Sequence, residues 1–374
     1  MKISIGAKIF DGPWGGGNLF VKNLSRYLID NNHEVVFNLF DDDIDIILLT
    51  DPRKSSDSSN YTHKEIVNYL KHINSKCLVV HRINECDERK NTTGLNKLFI
   101  DANNCADQTV FVSSWLQKLF EKDGLINNNS VIMSGSDKKV FNSKNKSVWR
   151  KNEKMRIVTH HWGTNWNKGF DIYKKLDNLL SEQVYKNKLN FTYIGNLPDN
   201  FSFKNSHHIK PIHGEELAKL LKINHIYITA SRNEPSGNHH IEASQCGLPV
   251  LYLNSGGIPE FCKGYGLSFE EDQFEIKLNE LIENYDIYSD KMKSYPFDSI
   301  KMSEEYLKLF KYMKENEALL INKRNNELDY LIYPIVIFKI FRSVQKFIFH
   351  RKYLSILISL INRVYLKSKS IIVN

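Results

Sequence analysis

Two rhythms of apolar and polar positions run through the first 300 residues. Short, nearly continuous apolar runs read as strands: "KISIGAKIF", "HEVVFNLF", "IDIILLT", "KCLVVHRI", "QTVFVS" and "SVIMSG". Helical spacing over 17–30, 64–73, 95–106 and 113–122 falls between most of them. A second set follows, "MRIVTHHWG", "NFTYIGN", "HIYITAS" and "PVLYLN", again with helical patterns between. The polar stretch "DKKVFNSKNKSVWRKNEK" (137–154) separates the two sets and reads as a linker. Strands apolar on both sides, alternating with helices, predict parallel sheets covered on both faces. Two such α/β units joined by one linker predict a cleft, with ligands at the carboxyl ends of the strands.

Composition changes this picture in one place. The chain has 374 residues, 41% of them hydrophobic, enough for two cores, and a net charge of +8. From Leu331 onward there are eight cations and no acid, which leaves 43 basic against 43 acidic residues in 1–330. A neutral body argues against nucleic-acid binding, which needs a broad basic face. Five scattered cysteines suit reduced thiols in a cytosol better than a disulfide framework. The apolar run after Lys2 is only about eight residues and reads as a strand rather than a secretory leader.

Candidate chemistry gathers at three loops of the second set. "NEPSGNHHIEASQCG" follows the strand "HIYITAS" and opens a helix near Gly237. A helix start offers unpaired N–H groups and a positive dipole end, a seat for phosphate. Glu242 lies under two turns inside, where a carboxylate can accept from a ribose diol. Glu234, with seven residues between it and Glu242, precedes the turn. The plainer reading makes one acid surface charge and the other a cap. "NSGGIPE" supplies a second tight turn at Gly256–Gly257, and "HHWGTNWNKGFDIY" places Lys168 beside Gly169 at a third, as countercharge for a diphosphate.

The combination Glu234, Glu242, Ala243, Gly247-Leu248-Pro249-Val250, Gly256-Gly257 and Glu260 resembles the retaining glycosyltransferases of family 4, over roughly residues 1–316. The resemblance implies a GT-B fold of two facing Rossmann-like domains, with boundaries near 1–148 for an acceptor-side domain and 149–300 for a nucleotide-sugar domain. It also implies a helix at 301–330 crossing back to the first domain. By the same resemblance Glu242 binds the donor ribose, Glu234 sits near the donor sugar, and the backbone after Gly237, with Asn238 and His239, meets phosphates or sugar. The loop "PWGGGNLFVKNLSRYL" resembles the family's first glycine-rich loop, with Gly16 and Gly17 at the ligand. It is not a dinucleotide fingerprint, since Phe20 stands where a third glycine belongs. His81 matches a cleft histidine, although a structural histidine reads as well. "SGSDKKVF" (134–141) resembles a structural segment leading into the linker.

The implied activity is hexosyltransferase-like transfer from a nucleotide sugar to a glycan or lipid-linked acceptor, without cofactor or metal. A catalytically inactive binder tethered to membrane and a GT-B sugar-nucleotide epimerase are the rivals. One departure stands out: Gly163 occupies the position, five before Lys168, where the family commonly has an arginine. Asn165 or a histidine is a candidate substitute.

The aspartates at 41–43 read as a solvated turn, and the pairs His160-His161 and His239-His240 are not expected to hold zinc. In "YPIVIFKIFRSVQKFIFH", Lys339, Arg342, Lys346 and His350 fall within about an 80° arc of a helix. Residues 331–374 therefore read as a basic amphipathic tail for an anionic membrane surface, placing the protein peripherally on a cytoplasmic face. Helices packed on the body are the alternative.

Overall fold

The computed structural model describes residues 1–12, 15–125, 128–324 and 342–348. Six parallel strands form the first sheet: β1 (Lys2–Ile5), β2 (Glu34–Val36), β3 (Ile46–Leu49), β4 (Leu78–Ile83), β5 (Gln108–Phe111) and β6 (Asn129–Val131). Their order is β2-β1-β3-β4-β5-β6. The second sheet has β7 (Met155–His161), β8 (Leu189–Gly195), β9 (His207–Ile209), β10 (Ile226–Thr229), β11 (Val250–Leu253) and β12 (Gly266–Phe269), ordered β12-β11-β10-β7-β8-β9. Every pairing is parallel, and central strands such as Ile46–Leu49 and Val250–Leu253 are buried at each position. That double-sided burial is what their unbroken apolar sequence demands.

Helices α1 (Gly15–Asp30), α2 (His63–His72), α3 (Asp87–Lys90), α4 (Leu95–Asn103) and α5 (Ser114–Lys122) belong to the first unit. The second carries α6 (Phe170–Leu179), α7 (Gly214–Lys222), α8 (Asn238–Gln245), α9 (Ile258–Cys262), α10 (Phe274–Glu283) and α11 (Tyr285–Lys291). α12 (Ser299–Glu315) and α13 (Glu317–Lys323) then return to the first. Met302, Tyr306, Phe310 and Leu320 share a core with Ile3, Leu24 and Leu48. Two short strands, β9 and β12, go beyond the four expected for the second set. Residues 137–154 contain no helix or strand, but Phe141 is buried in one core of the second unit and Trp149 packs on another.

The linker and the return segment cross side by side. Ser299 N–H donates to Ser136 C=O at 2.9 Å, and a Cβ on Gly135 would meet the Asp298 carbonyl at 2.2 Å. The aspartate turn is solvated as expected, its exposed side chains pairing with cations: Asp41 and Asp43 with Lys2, and Asp42 with Arg342. Most of the membrane reading for 331–374 lies outside the described residues. Within them, 342–348 are helical, and Val344 and Ile348 are exposed. No described helix is long and apolar enough to cross a membrane.

Candidate functional site

In each sheet the chain reverses direction beside its first strand, between β1 and β3 and between β7 and β10. Loops leaving neighbouring strand ends at such a point diverge and open a crevice. The two crevices face one another across a cleft of about 820 Å³. That volume suits a ligand larger than a simple sugar.

β7 ends in His160 and His161, and the turn after it carries Lys168. Gly169 fixes that turn: its φ is +90°, and a Cβ there would lie 2.4 Å from the Ala230 Cβ. Only glycine allows both. Lys168 is thereby drawn beneath the end of β10, where its Nζ stands 2.5 Å from Oε2 of Glu234. Both side chains are buried, as a charged pair can be when its partners are this close.

A third charge completes the group from the opposite unit. Arg89, at the end of α3, places Nε 2.9 Å from Oε1 of Glu234 and NH1 2.7 Å from Glu85. Burial alone would raise the Glu234 carboxyl, but Arg89 and Lys168 outweigh it and hold it far below the usual carboxylate range. Burial pushes the Lys168 ammonium down, and Glu234 opposes that.

Glu242, one and a half turns into α8, meets His160: Nε2 lies 3.0 Å from Oε2. A carboxylate only accepts, so His160 donates from Nε2, and its Nδ1 faces the Tyr227 hydroxyl at 3.2 Å. Oε1 of Glu242 has no partner among the described residues. α8 begins after Gly237, whose φ of +70° turns the chain so that the first amides of the helix border the cleft. Asn238 and His239 line it, with Nε2 of His239 2.9 Å from the Thr229 hydroxyl. Across the gap, Gly16 and Gly17 form the facing wall, and Gly16 lies so close to Asn238 that a Cβ would meet its side chain at 2.9 Å.

Three residues expected at the ligand lie away from the cleft lining. His81 does not border the cleft: it is fully buried in β4, stacked on Phe99, with Nδ1 3.0 Å from Asn103. Its strand neighbour Arg82 takes the cleft side, its guanidinium over the Phe20 ring at 3.9 Å. Strand alternation makes these exclusive, and the apolar shell claims the histidine. Gly256 and Gly257 do not line the cleft either. Gly257 N–H donates to the Glu234 carbonyl at 2.9 Å, so this turn buttresses the Glu234 loop from behind.

The four histidines do come together, with His239 at 4.6 Å from His161 and 5.0 Å from His240 between ring centres. Each of the first two is committed elsewhere, His160 to Glu242 and His161 to the Tyr173 hydroxyl at 2.6 Å. Among the described residues no group of three or more His, Cys, Asp or Glu is placed to hold a metal ion.

Arg89 was not anticipated. The available signal was its position: "NECDERK" leaves the carboxyl end of β4, the edge from which such folds recruit site residues.

Residues 141–295 match the family model of glycosyl transferases group 1. No curated protein matches the chain significantly. Among solved structures, Anabaena HepE in complex with UDP-glucose superposes with a TM-score of 0.61 at 14% identity, over 83% of this chain and 100% of that one. Sucrose-phosphate synthase from Thermosynechococcus elongatus gives 0.56 at 13%, over 84% and 99%. WaaG, a glycosyltransferase involved in lipopolysaccharide biosynthesis, gives 0.53 at 12%, over 86% and 99%. The two parallel six-stranded sheets are thus those of the GT-B glycosyltransferases.

Proposed function

We propose that the chain is a glycosyltransferase that moves a sugar from a nucleoside diphosphate to a glycan or lipid-linked acceptor seated against the first unit. The observation that carries this is the pairing of two separate acid sites at one switch point, His160–Glu242 and Lys168–Glu234, within the segment matching glycosyl transferases group 1. Glu242 accepts from the ribose diol through its unpartnered oxygen. The amides opening α8 receive phosphate oxygens, and Lys168 takes up charge that grows on the departing diphosphate. Preorganised cations of this kind lower the barrier without reorganising during the step.

The bond from the anomeric carbon to the diphosphate breaks, and the acceptor hydroxyl bonds to that carbon. In this reading the hydroxyl approaches the same face that the leaving group vacates, its proton passes to the departing phosphate, and configuration is retained. Glu234, held ionised by Arg89 and Lys168 before the donor arrives, faces the sugar as a hydrogen-bond acceptor rather than as an attacking group. Protein cations serve the diphosphate in place of a metal. Residues 331–374 attach the protein peripherally to an anionic, cytoplasmic membrane face.

A panel of nucleotide sugars decides between readings. Release of nucleoside diphosphate together with glycosylated product is the expected result. An altered sugar with free nucleotide makes it an epimerase, and binding without turnover makes it a binder. Glu242→Ala should weaken nucleotide affinity by about 1.5–3 kcal/mol, the worth of a charge-assisted hydrogen bond. Unchanged affinity by calorimetry on the folded variant contradicts the ribose assignment.

A further inference from the structure

We propose that Arg89 and Lys168 form a clamp for the donor's diphosphate spanning both units, and that in the ligand-free protein the Glu234 carboxylate holds that anion position. This rests on the glycosyltransferase reading. Two cations grip the two oxygens of one buried carboxylate, Arg89 from one unit at 2.9 Å and Lys168 from the other at 2.5 Å. A phosphoryl group presents oxygens in the same way. At Gly163, where the family resemblance expects the second cation, a Cβ would meet only the Lys168 Cε, at 3.5 Å. The position is open, and Arg89 reaches that lysine's partner, Glu234, from across the cleft.

α3 is anchored for this task. Nδ2 of Asn167, in the turn that carries Lys168, donates to the Arg89 carbonyl at 3.1 Å, and Nδ2 of Asn233, beside Glu234, to the Glu88 carbonyl at 3.3 Å. Among the described residues, Arg89, Lys90 and Lys168 pair only with Glu85 and Glu234, so the cluster keeps an excess of one cation even with Glu234 in place.

A diphosphate arriving here takes both cations from Glu234. The displaced carboxylate stays buried, and a buried carboxylate needs new donors. The donor's sugar hydroxyls are within the same cleft and supply them. A sugar-bearing diphosphate therefore satisfies every group, while a bare one leaves Glu234 wanting.

The test measures the affinities of UDP, GDP and ADP beside UMP, GMP and AMP for the full chain. For whichever base binds, Arg89→Gln should weaken the diphosphate about tenfold or more, the value of a lost charge-assisted contact. The monophosphate should hold nearly unchanged. Gly163→Arg added to Arg89→Gln should restore the diphosphate. Glu234→Gln should bind the diphosphate more tightly than the wild type and lose the preference for the nucleotide sugar over it. Equal losses for mono- and diphosphate, or none, overturn the clamp; weaker diphosphate binding by Glu234→Gln overturns the displaced carboxylate. If Arg89→Gln does not fold, Glu234→Gln alone decides. A wild type that binds none of the three diphosphates removes the glycosyltransferase reading and this one with it.

Discussion

His81 and His240 are both fully buried, and among the described residues Nε2 of His81 and both ring nitrogens of His240 have no hydrogen-bond partner. Burial pushes His81 down to about 4 and His240 down to about 3, against an ordinary 6.5. Both are neutral in the fold near pH 6, while the unfolded chain takes up protons there. Stability is therefore fully present above pH 6.5 and falls as pH drops toward 4, at about 1.4 kcal/mol per unit for each group. Urea midpoints should be flat around neutrality and decline steadily through that window. His81→Gln should decline less steeply, and an unchanged slope would show that His81 does not titrate. Glu234 adds its own loss as pH falls through the ordinary carboxylate range and below, where the unfolded chain takes up the proton while Arg89 and Lys168 keep the folded one ionised. At this scale the sequence pointed to Glu234, Glu242, Lys168 and Gly237, each at a strand end with a local signature, and the structure brings all four to one cleft. Arg89 stayed hidden because its meaning depends on a partner in the other unit. His81 misled because a strand position alone does not say which face is apolar.

Helix α5 starts in the first unit but is capped by the second. Ser113 accepts from Leu116 N–H, while the amides of Ser114 and Trp115 donate to the Glu260 carboxylate at 2.8 and 2.7 Å. A carboxylate at a helix start satisfies orphan donors and complements the dipole. Glu260→Ala should cost about 1–2 kcal/mol. Because this cap also joins the units, the variant should show a larger radius of gyration by small-angle scattering. Unaltered stability and radius together would remove the cap from any role in closure. The elements were broadly legible from periodicity, and observed helices such as His63–His72 and Ser114–Lys122 fall within a residue of their expected limits. β9 and β12 were not, being short edge strands with exposed positions that leave little apolar signal.

The whole molecule is two units tied at one side, where the linker and the return segment touch. Ending the chain at residue 330 should leave it soluble and able to bind nucleotide, because the donor-side site is built from residues before 300. It should also release the protein from anionic vesicles, if the proposed tail attachment holds; the full chain should bind such vesicles less as salt rises. A full chain that ignores vesicles, with a truncated form that aggregates, would make the tail part of the body. Ending the chain at residue 295 should be far worse, since it strips Met302, Tyr306 and Phe310 from the first unit's core. The two-unit plan was legible because each half repeats the same alternation. A cleft between facing halves was expected as well; the ion pair that Arg89 makes with Glu234 across it was not, since it arises only from how the halves meet.

The return of α12 and α13 also sets an order of events during synthesis. Ile3, Leu24 and Leu48 leave the ribosome well before Met302, Tyr306 and Phe310, yet all six share one core. The half made first is therefore the half finished last. The 155–291 unit emerges while its neighbour still shows an uncovered apolar face, and can fold around its own sheet without waiting. Domains usually mature in the order they are made. Here the first unit is left dependent on residues beyond 300, so a chain stalled or cut before them would expose that face to chaperones and proteases rather than yield a half-working protein.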